Sequence, residues 1–283
     1  MAKRLKTILQ ELRDENSLKA WSIIVTFFGD SIAPRGGAVA TSTVQEVMTE
    51  LGIGSGAIRT ALSRLCNGQW MERTRRGRSS FYRLSASKQQ EFTDAATTIY
   101  QAPATTANSP QDTVIIIANP DHNLPAELLS HSVQMAGSTA CLAHTADVNC
   151  SALTNLGHLV AQLENNRLPD WVHRQLLPEH MVKRYAILTR RIEYLAQENI
   201  TSPLDALAIR TLLIHEWRRV RLRHHTAATW FSDNDSPDSL CHRQVADFYC
   251  ALNPCAEQWL DTQAQGPRGQ LPIADIEINA RFR

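Results

Sequence analysis

Residues 38–85 read AVATSTVQEVMTELGIGSGAIRTALSRLCNGQWMERTRRGRSSFYRLS, and this stretch decides the fold. Its first half predicts a helix over residues 43–51, because side chains suited to a core recur at helical spacing behind Thr41 and Ser42: Thr43, Val44, Val47, Met48 and Leu51. The glycines from Gly52 to Gly56 suit a sharp corner between two helices, and Ser55 can cap the second one.

The second helix, predicted over residues 56–67, has one apolar and one polar face. The apolar face consists of Ile58, Ala61, Leu62 and Leu65. The polar face consists of Arg59, Thr60, Ser63, Arg64 and Asn67. Long cations beside small hydroxyl side chains are typical of a helix that reads base edges in the DNA major groove.

A basic hairpin follows the second helix. Residues 70–74 and 79–84 are predicted as strands, and the loop between them contains Arg75, Arg76, Gly77 and Arg78. Residues 59–83 contain seven arginines and one acid, Glu72, in a chain whose formal net charge is only +1. The sequence therefore predicts a winged helix-turn-helix that binds phosphate, and the alternative is an ordinary solvated helix pair.

At this point the sequence resembles the PaaX-type repressors of phenylacetate catabolism. The resemblance rests on Phe28-Gly-Asp, Arg35-Gly-Gly, Leu51-Gly-Ile-Gly, Arg59-Thr-Ala-Leu-Ser-Arg-Leu, Gly77-Arg-Ser-Ser-Phe-Tyr-Arg-Leu-Ser and, far downstream, Leu212-Leu-Ile-His-Glu-Trp-Arg-Arg-Val. It implies a small ferredoxin-like α/β middle domain and an aryl-acetyl coenzyme A thioester that releases the repressor from DNA. The family's Asp-Pro-x-Leu-Pro segment after the downstream helix is replaced here by Arg223-His-His-Thr-Ala-Ala-Thr-Trp.

Upstream of the helix pair, residues 17–29 are predicted to form a helix. It is expected to pack on the second helix of the pair through Leu18, Trp21, Ile24, Val25 and Phe28. Asp30 and Ser31 are predicted to mark its end. Arg35-Gly-Gly then places a cation on a flexible loop at the expected DNA face, and a plain turn is the alternative.

The 283 residues exceed a usual single domain, so we expect several. The expected order is a winged-helix domain over 1–100, a linker over 101–112, a middle α/β domain over 113–168 and a helical effector and dimerisation domain over 169–283. Residues 1–90 carry fourteen cations and seven acids, whereas residues 91–283 carry fifteen cations and twenty-one acids. Positive charge is thus concentrated where DNA would lie.

The predicted fold class is α+β and mostly helical. In the middle domain we expect a strand over 114–118, a helix over 124–135 and a return strand over 140–144, with a shortened, incomplete sheet. Beyond Pro169 we expect helices over 171–177, 181–198 and 204–223, a last helix over 257–261, and a terminal strand or arm over 271–283.

No catalytic or metal site is predicted. His215-Glu216 resembles the start of a metalloprotease motif, but Arg219 occupies the second histidine position. The same cluster of His215, Trp217, Arg218 and Arg219 could instead close an effector pocket, with an aromatic ring, a histidine donor and guanidinium groups for phosphate. The alternative is a buried helix that ends in a solvated basic turn.

We therefore expect a homodimeric repressor of an aromatic-acid operon, not an enzyme, with no cofactor. Phenylacetyl-CoA or a related acyl-CoA is the expected effector; the alternatives are a protein-interaction module or a regulator with another effector. The expected contacts to double-stranded operator DNA are Arg35, Ser55, Arg59, Thr60, Ser63, Arg64, Arg75, Arg76 and Arg78. No run reaches the about 18 apolar residues of a membrane span and no signal peptide is evident, so a cytoplasmic protein is expected.

Overall fold

A computed structural model describes residues 3–15, 17–102, 113–126, 128, 132–135, 139–163, 168–224, 235–274 and 278–282. The chain divides into two compact units, of which the first comprises residues 1–101, 188–219 and 244–283, and the second comprises 102–187 and 220–243. The sequence predicted residues 169–283 as one separate domain. In the structure much of that region belongs instead to the unit that begins at the amino terminus.

The first unit begins with five helices and a small sheet. In chain order these elements are α1 (Lys3–Asp14), α2 (Ala20–Phe27), β1 (Ala38–Ala40), α3 (Thr41–Glu50), α4 (Ser55–Asn67), β2 (Met71–Arg76), β3 (Ser79–Leu84) and a fifth helix, α5 (Gln89–Tyr100). The predicted helix pair and hairpin are confirmed, but the capping residues are Ala40 and Gly54, so Thr41 and Ser55 lie inside their helices. Helix α1 was not predicted, and its buried stripe is Leu5, Ile8, Leu9 and Leu12.

Helix α2 continues into one π-helical turn, Phe28–Ile32. Its core positions include Ile24, Val25 and Phe28, as predicted. Trp21 is 40% exposed, but its ring lies under the Arg64 guanidinium at 5.7 Å, so it contacts α4 at the surface and not in the core. Asp30, predicted at a helix end, lies in the π-helical turn and is buried.

Strands β1, β3 and β2 form an antiparallel sheet in that order. Met71 pairs with Leu84 and Arg76 pairs with Ser79, so Arg75 and Arg76 lie in the strand and the loop is Gly77 and Arg78 alone. Gly77 has a φ of 58°, which the first residue of a two-residue hairpin loop requires.

The second unit contains a complete four-stranded sheet. It is built from β4 (Thr113–Ile117), β5 (Ser132–Gln134), β6 (Ala140–His144) and β7 (Leu159–Gln162), with α6 (Cys150–Asn155) before the last strand. The strand order is β5-β6-β4-β7 and every pairing is antiparallel. The expected incomplete sheet is therefore wrong, as is a helix up to residue 135, because residues 132–134 form β5.

The later elements are mainly helical. They are α7 (Asp170–Leu176), α8 (Glu179–Ala196), α9 (Pro203–Arg221) and α10 (Pro237–Thr262), followed by a two-stranded hairpin of β8 (Gln265–Gly266) and β9 (Gly269–Gln270). The last helix is far longer than the predicted 257–261. Residues 271–274 and 278–282 contain no strand, so the terminal arm has only a short 3-10 turn, Ile278–Ala280, in the described residues. In the described parts of the chain no helix combines the length and the apolar character that crossing a bilayer demands.

A buried charge cluster lies at the centre of the first unit. Asp30 accepts hydrogen bonds from Tyr100 Oη at 2.7 Å and Tyr249 Oη at 2.9 Å. It is paired with Arg210 at 3.2 Å and with Arg281 at 3.1 Å. Burial alone would raise the pKa of Asp30, but the two guanidinium groups and the tyrosine hydrogen bonds hold that pKa below its ordinary 3.8.

Replacing this carboxylate tests the cluster. We expect Asp30→Asn to lower the free energy of unfolding by about 3–5 kcal/mol, because buried Arg210 and Arg281 lose a charged partner. Since the folded pKa is lowered, the stabilisation from Asp30 is present above about pH 4 and is lost as the pH falls through the folded pKa. Urea unfolding at neutral and acid pH measures both effects.

The control is Asp94→Asn, which removes an exposed carboxylate from α5. It should change the free energy of unfolding by less than about 0.5 kcal/mol. A loss of equal size in both variants would contradict a special role for Asp30.

Candidate nucleic-acid interface

The buried stripe of α4 fixes which of its side chains face solvent. Ile58, Ala61, Leu62 and Leu65 are all buried, and α4 contacts both α2 and α3. Because a helix that buries one stripe must expose the opposite one, the arginines and hydroxyl residues of α4 face outward. The predicted division of the two faces is confirmed.

The exposed face of α4 carries Ser55, Arg59, Thr60, Ser63 and Arg64. Arg59 and Ser63 have no side-chain hydrogen bond or ion pair with any described residue, and Arg64 lies over the Trp21 ring at 5.7 Å. Thr60 Oγ1 donates to the Gly56 carbonyl at 3.0 Å, which is a local helix contact. This face can therefore offer guanidinium donors to base edges or phosphate.

The hairpin arginines differ in what they contact. Arg73 donates to Ser80 Oγ at 2.7 Å, and Arg83 pairs with Glu72 at 2.9 Å. Arg75 donates to the Gly77 carbonyl at 3.2 Å and Arg76 to the Pro267 carbonyl at 3.3 Å, contacts that leave both charges uncompensated. Arg78, at the exposed tip, has no partner among the described residues. Because the Ser80 hydroxyl is neutral, the uncompensated positive charge of the hairpin lies at residues 73, 75, 76 and 78, and only Arg83 is neutralised, by Glu72.

A groove of about 620 Å³ lies beside the amino-terminal end of α4. Its lining includes Arg13, Lys19, Trp21, Gly54 and Arg64. Arg13 Nη2 donates to the Gly52 carbonyl at 2.8 Å, which ties α1 to the turn between α3 and α4. Arg13 and Lys19 were not predicted to lie at this surface, because only the packing of α1 and α2 brings them to the turn between α3 and α4.

Arg35 does not face the expected DNA surface. It is 3% exposed, lies 2.7 Å from Asp261 and is also paired with Glu257. Its Nη1 donates to the Pro272 carbonyl at 2.9 Å. The prediction that Arg35 contacts DNA is wrong, because its guanidinium is buried and is already neutralised by two carboxylates of α10.

Two members of the predicted effector cluster, His215 and Trp217, are buried in the core, and Arg218 and Arg219 are partly exposed. His215 Nδ1 lies 3.2 Å from Thr26 Oγ1, and Trp217 Nε1 donates to the Ile99 carbonyl at 2.7 Å. Arg218 donates to Ser22 Oγ at 2.7 Å, and Arg219 pairs with Glu216 at 3.0 Å. Burial first, and then Arg218 and Arg219, hold the pKa of His215 well below 6.5, so its ring is neutral. These contacts favour the alternative to the predicted pocket, a buried helix that ends in a solvated basic turn.

Metal and thiol chemistry receive no support from the described residues. Within them, no group of three or more His, Cys, Asp or Glu side chains is placed to hold a metal ion. All six cysteines are free, and burial raises the pKa of the Cys66 thiol although Arg73 opposes the shift. Cys66 therefore lacks the lowered pKa of a reactive thiol.

Known proteins match the stretch that carries this surface. Residues 19–88 match the family model described as PaaX-like protein. Over 99% of its length the chain is 23% identical to the Transcriptional repressor PaaX of Escherichia coli (strain K12), of which 95% is covered. A solved structure of an uncharacterized protein from Mycobacterium tuberculosis aligns with 78% of this chain and 91% of that chain at 12% identity, with a TM-score of 0.47. The first two matches confirm the resemblance to PaaX-type repressors.

The turn before α4 can be tested through its glycines. Gly52 has a φ of 68°, and a Cβ there would collide with the Arg13 guanidinium. We expect Gly52→Ala to lower the free energy of unfolding by about 1–3 kcal/mol, from left-handed backbone strain and loss of the Arg13 hydrogen bond. Urea unfolding followed by circular dichroism measures the loss.

Gly56→Ala is the matched control. Gly56 lies in the first turn of α4, and a Cβ there meets nothing within 4 Å. Alanine favours a helix over glycine by about 0.5–1 kcal/mol, so this variant should gain stability. The same sign of change in both variants would contradict the assigned turn geometry.

Proposed function

We propose that this chain is a DNA-binding transcriptional repressor of an aromatic-acid, phenylacetate-type catabolic operon. The observation that carries the proposal is the outward-facing polar face of α4 beside an arginine hairpin of the same unit. The match to the PaaX-like family model over residues 19–88 supports it, because that range includes both elements. An operator-binding repressor acts in the cytoplasm, and nothing in the proposal requires an enzyme activity.

The order of elements supports the domain assignments. Helices α3 and α4, followed by the β2–β3 hairpin with β1 on the same sheet, correspond to a winged helix-turn-helix. In the second unit, Ala126 and Leu128 are helical between β4 and β5, and α6 lies between β6 and β7. This β-α-β-β-α-β succession, with strand order β5-β6-β4-β7, corresponds to a ferredoxin-like sheet.

We assign two kinds of DNA contact. Arg59, Thr60, Ser63 and Arg64 of α4 enter the major groove, where arginine recognises guanine edges and small hydroxyl side chains permit close approach. Ser55, in the first turn of α4, lies where the helix dipole favours a phosphate. Arg75, Arg76 and Arg78 contact phosphate or the minor groove.

A homodimer on an inverted repeat completes the proposal. Two-fold symmetric proteins bind pseudo-palindromic operators whose half-sites are separated by about one helical turn of DNA or a multiple of it. The competing function, a protein-interaction module whose arginines bind an acidic partner, is favoured if duplex DNA does not bind.

The experiment that tests the function starts from the DNA itself. The purified full chain is mixed with fragmented genomic DNA, the bound fragments are sequenced, and the recovered site is synthesised as a labelled duplex. Fluorescence anisotropy at increasing salt should give a log-log slope of several units, because each neutralised phosphate contributes about 0.9. Absence of any recovered fragment, with a slope near zero on all duplexes, would reject DNA binding.

Arg59 and Arg78 should differ in how they affect that binding. We expect Arg59→Ala to weaken binding to the recovered site by about 1–3 kcal/mol and to weaken binding to unrelated duplexes much less. Arg78→Ala should weaken binding to all duplexes alike and reduce the salt slope by about 0.9. Equal loss on specific and unrelated DNA for Arg59→Ala would remove its base-reading role.

We further propose phenylacetyl-CoA, or a related acyl-CoA, as the effector, and we relocate its site to Arg221 in the second unit. Arg221 is 3% exposed, and its Nε and Nη1 are buried without a hydrogen-bond partner. Arg221 forms no ion pair with any described residue, although Tyr185 and buried Asp238 lie near enough to oppose the effect of burial on its pKa. Since an unpaired buried guanidinium is costly, a ligand phosphate is the partner it lacks.

Tyr185, one of the residues near Arg221, is held in place by His224. Tyr185 Oη lies 2.8 Å from His224 Nδ1, and His224 Nε2 lies 3.0 Å from the Leu176 carbonyl. If His224 Nε2–H donates to that carbonyl, Nδ1 is an acceptor and the Tyr185 hydroxyl donates to it. The pKa of Tyr185 is raised, chiefly by burial, so its hydroxyl contributes no negative charge that would satisfy Arg221.

Calorimetry of the full chain tests the effector and its site together. We expect phenylacetyl-CoA to bind the wild type, Arg221→Met to abolish that binding, and the exposed Arg174→Met of the same unit to retain it. Without ligand, Arg221→Met should raise the melting temperature, because it removes an unpaired buried cation. No binding of phenylacetyl-CoA to the wild type would reject the effector, and binding to Arg221→Met would reject only the site.

A further inference from the structure

A second hairpin follows α10, far along the chain from the basic β2–β3 hairpin, which we call the wing. Strands β8 and β9 pair through Gln265 with Gln270 and Gly266 with Gly269. The turn between them consists of Pro267 and Arg268, and Gly269 has a φ of 109°. We call residues 265–270 the C-terminal hairpin.

The C-terminal hairpin is anchored to the sheet and helix that carry the wing. The Gln265 amide donates to Thr43 Oγ1 of α3 at 3.0 Å. Gly266 passes close to β1, where a Cβ on it would lie 3.6 Å from the Ala38 carbonyl oxygen. Immediately after the hairpin, Leu271 is buried. These contacts fix the base of the hairpin against the element pair α3 and β1.

Its tip is joined directly to the wing. Arg76 Nη1 donates to the Pro267 carbonyl at 3.3 Å, so the turn of the C-terminal hairpin lies beside strand β2. Arg268 is the next residue, and it is exposed without a partner among the described residues. It is the single ionisable residue in the sequence QGPRGQ, so no acid within the hairpin compensates its charge.

The backbone around Arg268 also permits a close approach. A Cβ added at Gly269 would meet nothing within 4 Å, and Gly269 and Gln270 are exposed. A turn with an unpaired guanidinium and an uncrowded glycine backbone has the chemistry of a phosphate contact rather than of base recognition. Its neighbour Arg76 is one of the residues assigned to phosphate or the minor groove.

We propose that the C-terminal hairpin is a second DNA-contacting hairpin, in which Arg268 binds a backbone phosphate beside the wing. This inference rests on the proposed DNA-binding function. It extends the interface to a distant segment, because Pro267 lies 191 residues after its partner Arg76. It adds one guanidinium to the interface and no new base-reading residue.

The test uses the full chain and the duplex recovered from genomic DNA. Arg268→Ala should reduce the log-log salt slope by about 0.9 and weaken binding about eightfold at about 0.1 M salt, equally on specific and unrelated duplexes. Arg268→Lys keeps the charge and should keep the slope. Arg268→Glu should weaken binding further than Arg268→Ala, because it places a carboxylate near phosphate. Thermal unfolding of each variant checks that the fold is intact.

The outcomes separate this inference from the function on which it rests. If the wild type binds duplex DNA and Arg268→Ala has its affinity and slope, the C-terminal hairpin makes no phosphate contact and the inference is overturned. Weaker binding of Arg268→Ala with an unchanged slope, or the same loss in Arg268→Lys, also overturns it, since either result indicates a structural role. If the wild type binds no duplex, the proposed function and this inference both fail.

Discussion

The first unit depends on one requirement, which is that the buried carboxylate of Asp30 must be neutralised. A charge without exposure to solvent costs several kcal/mol unless it is paired and hydrogen-bonded. Asp30 has two arginines and two tyrosines as partners, and these come from α5, α9, α10 and the segment after Ile278. The adjacent Ser31 donates one hydrogen bond to the carboxylate, but the charged partners come from far along the chain, so neutralising Asp30 joins the amino-terminal helices and the later helical segments in one unit.

The charge cluster continues from Asp30 toward the surface that we assign to DNA. Glu257 of α10 pairs with Arg210 through one carboxylate oxygen and with Arg35 through the other. Arg35 in turn donates to the Pro272 carbonyl, two residues after β9. An uninterrupted series of ion pairs and hydrogen bonds thus joins Asp30 to the base of the C-terminal hairpin. Arg35 therefore anchors the segment after β9 to α10. This structural role replaces the DNA contact that its Arg-Gly-Gly context suggested.

Sequence reasoning succeeded where the structure is determined by local periodicity. The buried stripe of α4, the hairpin and the glycine turn follow from spacings of a few residues, and the structure confirms them. It failed where a partner comes from far along the chain, as for Arg35, His215 and Arg218. Two elements were not predicted for local reasons. Pro254 lies inside α10 and is read in a sequence as a helix end, and β7 is mostly exposed, so it lacks the apolar alternation of a buried strand.

The arginines show why a local count of charges is an incomplete description of an interface. The seven arginines of residues 59–83 are equivalent in the sequence, but Arg83 is paired with the Glu72 carboxylate, whereas Arg73 donates to the neutral Ser80 hydroxyl. Arg59 and Arg78 have no such partner among the described residues. A guanidinium that already has a carboxylate partner must exchange it to bind phosphate, so it contributes less to counterion release than an unpaired one. The salt dependence of the proposed DNA binding should therefore follow the number of unpaired arginines, and the strand register that places Glu72 opposite Arg83 removes one of the seven from that number.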